Sequence, residues 1–146
     1  VQGMVQTSAN TAVTVLTPET FDVLVSIRSS VESEKDHVAS RSCYLTEFLG
    51  GECELEGEYP AWEYQETSRL REIMCRTYEA LFGEQPVVTT VHAGLECGLF
   101  KGKNDALDCI SFGPDILDIH SVNERVSISS VARMWEYLLH VLKNMK

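Results

Sequence analysis

From Asp108 to Ser129 the chain reads D-C-I-S-F-G-P-D-I-L-D-I-H-S-V-N-E-R-V-S-I-S. Past the apolar, strand-like run Leu107–Phe112 and the Gly113-Pro114 turn, it carries Asp115, Asp118, His120, Ser121, Asn123 and Glu124. A histidine among carboxylates on a loop beyond a strand is a common way to reach a metal or a substrate, because α/β proteins place their chemistry on such loops. One imidazole does not fix a metal site, which takes three or four ligands held in geometry. Spacing alone leaves His120 either as such a ligand or as a solvated loop residue. A second polar group, His92, Glu96 and Cys97, lies in V-H-A-G-L-E-C-G-L-F at 91–100. Its plain readings are a satisfied histidine at a strand end, a helix-capping glutamate and a core cysteine.

The elements that must position these residues are legible from periodicity. Thr11 to Thr17 and Phe21 to Arg28 read as two strands joined at Thr17-Pro18-Glu19-Thr20. In the second, Phe21, Val23, Val25 and Ile27 share one face, and Asp22, Leu24, Ser26 and Arg28 the other. The segment from Val31 to Leu49 has helical period, with Val31, Val38, Leu45, Phe48 and Leu49 as its stripe, Ser29 or Ser30 as its cap and Gly50-Gly51 as its stop. A strand from Glu52 to Glu58 follows, with Cys53 and Leu55 inward. Tyr59-Pro60-Ala61-Trp62 crosses to the second part of the chain, since proline disfavours helix before it. Residues 68–82 form an amphipathic helix capped by Ser68 and stopped by Gly83. Val87 to Val91 is a short strand, Leu95 to Phe100 a short helix or turn packed by Leu95, Leu99 and Phe100, and 106–112 a further strand. The last helix begins near Val131, capped by Ser129 or Ser130, with Val131, Met134, Trp135, Leu138, Leu139 and Leu142 facing the core.

Composition narrows the function. The 146 residues suit one ordinary domain or parts of two, and 44% hydrophobic residues suffice for a core. A formal charge of −10 argues against nucleic acid or anionic membrane as partners. No apolar run approaches the roughly 20 residues that span a bilayer, and the N-terminus has no basic-then-apolar signal pattern. Cys43, Cys53, Cys75, Cys97 and Cys109 are odd in number and include no C-x-x-C pair, so the expectation is reduced cytosolic thiols. His37 and His140 lie on amphipathic helices and read as surface or helix-end residues.

The run I-S-F-G-P-D-I-L-D-I-H-S-V-N-E, together with H-A-G-L-E-C-G, resembles the aminoacyl-histidine dipeptidase family, carnosinase-like members of the di-zinc aminoacylase and carboxypeptidase G superfamily. The resemblance extends through T-S-A-N at 7–10, S-I-R-S at 26–29 and Y-P-A-W at 59–62, and it begins far inside the family's sequence, as a fragment would. It implies a mixed α/β fold. Residues 1–60 would be the second half of a lid or dimerisation domain (strand, strand, helix, strand), and 61–146 the C-terminal α/β half of a zinc-exopeptidase-like catalytic domain. It also implies hydrolysis of Xaa-His dipeptides by metal-activated water, with two zinc ions per intact site. The reduced thiols point to a cytoplasmic location, and the apolar faces led by Phe21, Val23, Val25 and Ile27, and by Trp135, Leu138 and Leu139, only partly covered by the elements present, point to a homodimer.

Residue by residue, the resemblance makes His120 a zinc ligand, with Asp118 or Glu124 as the acceptor that fixes its tautomer. Asn10 and Arg28 would grip the substrate carboxylate, Arg28 by two parallel hydrogen bonds. His92 and Glu96 would line the substrate pocket. The family usually has proline at the position of Val122 and often aspartate at that of Asn123, so this loop departs from the pattern. The family's H-x-D motif, Glu-Glu pair and lid G-G-H-S-G histidine do not occur here. No catalytic general base is therefore assigned to this chain, which needs the N-terminal half of the protein to complete a site. The competing expectations are a non-enzymatic α+β binding or assembly domain, or a degenerate relative of the dipeptidase.

Overall fold

The computed structural model describes residues 3–91 and 94–145. In chain order the elements are β1 (Thr7–Leu16), β2 (Phe21–Ser29), α1 (Glu32–Phe48), α2 (Arg69–Phe82), α3 (Glu96–Lys103), β3 (Ile116–Leu117), β4 (Arg125–Val126) and α4 (Ile128–Asn144). The class is mixed α/β, as the sequence implies. The elements gather into two units that interleave in sequence. One holds residues 1–65 and 89–107, the other 66–88 and 108–146.

In the first unit β1 and β2 form an antiparallel hairpin. Its turn is locked by Thr17, whose Oγ1 accepts the Thr20 N–H at 2.9 Å while its own N–H reaches the Thr20 carbonyl at 2.8 Å. The register sets Leu16 opposite Phe21, Thr14 opposite Val23, Thr11 opposite Val25 and Ala9 opposite Ile27, with a shift between Thr11 and Val13. Helix α1 packs on this hairpin. Its half-buried stripe is Val31, Lys35, Val38, Ala39, Ser42, Cys43 and Thr46. Leu45, Phe48 and Leu49, expected inward, are instead 57%, 74% and 75% exposed. Small and polar residues take the packed side because the helix lies close to the hairpin, and the large side chains fall on the outer side. The N-cap is Val31, with no side-chain cap bond, and Gly50 ends the helix at φ +86°.

Three expected strands, over 52–58, 87–91 and 106–112, form no ladder among the described residues, which contain only two two-stranded sheets. A β-branched run becomes a strand only when a neighbour takes up its N–H and C=O groups. Cys53 is joined to Cys43 by a disulfide, Cα to Cα 5.2 Å, which corrects the expectation of uniformly reduced thiols. The odd count obscured a pair that a ten-residue separation brings back to the end of α1. Cys75, Cys97 and Cys109 take no part in a disulfide and are half-buried.

The crossing segment 59–62 is held from two sides. Lys35 Nζ donates to the Tyr59 carbonyl at 2.7 Å, and Glu32 accepts the Ala61 N–H at 2.5 Å. Burial pulls the Glu32 pKa upward, but the Ala61 hydrogen bond and the adjacent Lys35 hold it below the ordinary value. From the other side come Gly94 and Gly98 of the H-A-G-L-E-C-G run. A Cβ at Gly98 would sit 2.7 Å from the Pro60 carbonyl oxygen, and one at Gly94 would sit 2.5 Å from the Tyr59 ring. Leu99 and Phe100, expected to pack, are exposed, and Gly98 is the buried residue of α3.

The second unit is built on α2 against α4. Ser68 caps α2 by accepting the Arg71 N–H at 3.0 Å, and Gly83 ends it at φ +75°. Met74, Tyr137 and Val141 form the core, with Leu70, Tyr78, Leu81, Phe82, Ile110 and Met134 packed around it. The buried face of α4 is Ser130, Tyr137 and Val141, turned from the expected stripe, and Trp135 is 62% exposed. Polar atoms decide the rotation, because Tyr137 Oη donates to the Met74 carbonyl at 2.8 Å and Asn144 Nδ2 to Thr77 Oγ1 at 2.9 Å. The cap of α4 is Ser127, not Ser129 or Ser130. No helix among the described residues is long and apolar enough to cross a membrane.

Candidate functional site

The His120 loop stands on a very short hairpin. Ile116 pairs with Val126 and Leu117 with Arg125. At its base the Ser127 N–H donates to the Asp115 carbonyl at 3.0 Å, and the Asp115 N–H donates to Ser130 Oγ at 2.9 Å. The loop then folds on itself. Ser121 donates to the Asp118 carbonyl through both its N–H, at 3.1 Å, and its Oγ, at 2.7 Å. Ser121 Oγ in turn accepts the Asn123 N–H at 3.1 Å.

This wiring holds two non-glycine residues in the left-handed region, Asp118 at φ 54° and His120 at φ 65°. Such a conformation costs an ordinary residue roughly 1–2 kcal/mol, and residues kept there cluster at functional sites. The cost is opposed by Glu124, whose carboxylate accepts the His120 N–H at 2.8 Å, and by an ion pair between Asp118 and Arg125 at 3.1 Å. The ion pair is half exposed and contributes little by itself.

Neither Asp118 nor Glu124 therefore meets the imidazole, as expected of a tautomer-fixing acceptor. Asp118 faces Arg125, and Glu124 holds the backbone of His120. His120 is exposed, so its ring is presented outward from a pinned backbone. Chemically it can offer one nitrogen donor. Among the described residues no group of three or more His, Cys, Asp or Glu side chains is arranged to hold a metal ion. Among the described residues, His120 thus fits a metal only as a single donor.

The hairpin of the first unit brings Asn10 and Arg28 together. Asn10 stands opposite Ser26 and Arg28 opposite Ser8, so the two share a face at diagonal positions, which in antiparallel sheets are about 7–8 Å apart. Both are exposed, and a carboxylate can span an amide and a guanidinium at that spacing. Glu96 is exposed in the first turn of α3, in the same unit. His92 lies outside the described residues. His120 belongs to the second unit.

Sequence reasoning passed over Ser130 as more than a cap, and over Gly94 and Gly98. A serine three residues past a cap looks like any other, but two glycines four apart, one just before α3 and one inside it, signal close backbone approach.

A family model described as peptidase family M20/M25/M40 matches residues 4–144. The cytosol non-specific dipeptidase of Escherichia coli K12 is 38% identical over 142 residues, covering 97% of this chain and 29% of that protein. The succinyl-diaminopimelate desuccinylase of Helicobacter hepaticus is 27% identical over 145 residues, covering 90% of this chain and 34% of that protein. Among solved structures, the aminoacylhistidine dipeptidase of Vibrio alginolyticus superposes with a TM-score of 0.85 at 36% identity, covering 98% of this chain and 29% of that one. The chain thus spans about three-tenths of the length of the relatives it matches.

Proposed function

The chain belongs to peptidase family M20/M25/M40, and from that membership we propose that it is the C-terminal portion of a metal-dependent dipeptidase that hydrolyses Xaa-His dipeptides such as carnosine. The observation that carries this reading is the match along almost the whole chain to two proteins named as dipeptidases, at 38% and 36% identity. The desuccinylase relative, at 27%, is the weaker guide to substrate.

In this reading His120 supplies one ligand to a pair of zinc ions, and the pinned left-handed backbone fixes where the imidazole is offered. Zinc bound in such sites supplies a water that ionises near neutral pH and polarises the amide carbonyl. Arg28 and Asn10 bind the carboxylate of the dipeptide, orienting it by charge-assisted hydrogen bonds. His92 and Glu96 line the substrate pocket. The general base and the remaining ligands come from the part of the protein that precedes this portion, and neither residues 1–60, as half of a lid, nor 61–146, as half of a catalytic domain, completes a site.

The exposed hydrophobic residues Leu16, Phe21 and Val23 on one face of the hairpin, at 76%, 67% and 42%, support assembly as a homodimer. The location proposed is cytoplasmic, after the cytosolic relative. Disulfides are uncommon in that compartment. The redox state of Cys43 and Cys53 in protein alkylated inside the cell therefore tests the location, and a fully oxidised pair counts against it.

The function itself is tested in a protein extended to the length of its relatives. Carnosine should be hydrolysed, and His120→Ala should lower kcat/KM by more than about a hundredfold, since even residues one layer behind a ligand cost about 10–100-fold. Wild-type protein that binds zinc yet hydrolyses no Xaa-His dipeptide would instead favour a degenerate relative or a binding module.

A further inference from the structure

We infer that Ser130 is a positioning residue for His120, its buried hydroxyl closing the base of the loop that presents the imidazole. Ser130 is 4% exposed. Its Oγ accepts the Asp115 N–H at 2.9 Å and donates to the Ser127 carbonyl at 2.8 Å. The Ser127 N–H returns to the Asp115 carbonyl at 3.0 Å. These groups make a closed hydrogen-bond circuit at the point where β3 and β4 would otherwise need another ladder bond. A serine that only satisfied itself in a helix needs the bond to Ser127 alone. The bond to Asp115 ties the far side of the hairpin to the first turn of α4.

That helix is anchored in turn by Tyr137 and Val141, which are 4% and 3% exposed in the core of the unit. Beyond the base only two residue pairs separate the circuit from Asp118, so it sets the direction in which His120 leaves the hairpin. The consequence for metal binding rests on the reading of His120 given above, whereas the loop geometry does not.

The test has two arms. In the chain itself, without metal, Ser130→Ala should speed amide exchange at Asp115, Ser127 and His120 about tenfold, the effect of losing one buried hydrogen bond. It should also weaken the strong intraresidue amide–Hα NOE that a positive φ gives His120. Ser130→Thr, which keeps the hydroxyl, should restore both, with the amides of Tyr137 and Val141 protected throughout. In the protein extended to the length of its relatives, Ser130→Ala should weaken Zn²⁺ binding by about 10–100-fold in chelator competition, as loss of an outer support does, and Ser130→Thr should not. Unchanged exchange and NOE at His120 in Ser130→Ala would overturn the positioning role. Altered exchange with unchanged Zn²⁺ affinity would overturn His120 as the ligand being positioned.

Discussion

Tyr137 shows how a single polar atom sets the packing of the second unit. Its hydroxyl reaches the Met74 carbonyl inside the α2–α4 core, and its ring meets Tyr78 and Phe112 edge-on, each at 5.5 Å. Burial, with smaller contributions from Cys75 and Tyr78, pushes its pKa up to about 12. A raised pKa means that the folded form keeps the proton longer than the unfolded chain. This stabilisation is complete below the unfolded value of about 10 and is lost as pH rises through about 12. Tyr137→Phe should cost about 1 kcal/mol at neutral pH, the worth of one net hydrogen bond. Urea unfolding midpoints should fall more steeply between about pH 10 and 12 for the wild type than for Tyr137→Phe. Parallel pH curves would contradict this.

Asp108 plays a comparable part, accepting Ser68 Oγ at 2.7 Å and the Leu70 N–H at 2.9 Å at the start of α2. Asp108→Ala should lower stability by about 1–2 kcal/mol, as loss of a charged cap does. At this scale the Ser68 cap and the Gly83 stop were legible in the sequence, because capping is local. The partners of Asp108 and Tyr137, 40 and 63 residues away, were not.

Elements were legible where their hydrogen bonds close within themselves or within one hairpin. Helix α2 follows the pattern read from its residues, and β1 and β2 pair as the hairpin read from theirs, but β1 begins at Thr7 rather than Thr11, and Phe21, Val23 and Val25 are exposed as Asp22 and Leu24 are. The runs at 52–58, 87–91 and 106–112 read as strands by alternation or β-branched content but form no ladder among the described residues, and a local pattern cannot supply a neighbour. The crossing segment gives a sharp test of element packing. Gly98→Ala should cost about 1–3 kcal/mol by driving a Cβ against the Pro60 carbonyl, as overpacking does. Gly113→Ala, which meets nothing within 4 Å, should stay within about 0.5 kcal/mol. Equal thermal shifts for the two would refute the close approach.

In protein purified under oxidising conditions, as distinct from protein alkylated inside the cell, the Cys43–Cys53 link should appear in a non-reducing peptide map. Its reduction should remove about 2–3 kcal/mol, the loop-entropy worth of a ten-residue closure.

For the molecule as a whole, the proposed reading, in which this chain gives a two-metal site a single imidazole, predicts no activity from the chain alone. Carnosine with excess Zn²⁺ should show no turnover, since without the general base and other ligands the nucleophile itself is missing. Exposed apolar faces, with a charge of −10 that salt screens over about 8–10 Å, should give dimers that tighten as ionic strength rises. Light scattering that returned a monomer mass at high salt and high concentration would contradict this.

The central claim, that this chain contributes His120 to a two-zinc site, is tested most directly by counting metal. In a protein extended to the length of its relatives, elemental analysis after dialysis should give two zinc ions per subunit for the wild type. His120→Ala should retain about one, with its helix content unchanged, because the remaining ligands still hold the other ion. Two ions retained in His120→Ala would contradict the assignment.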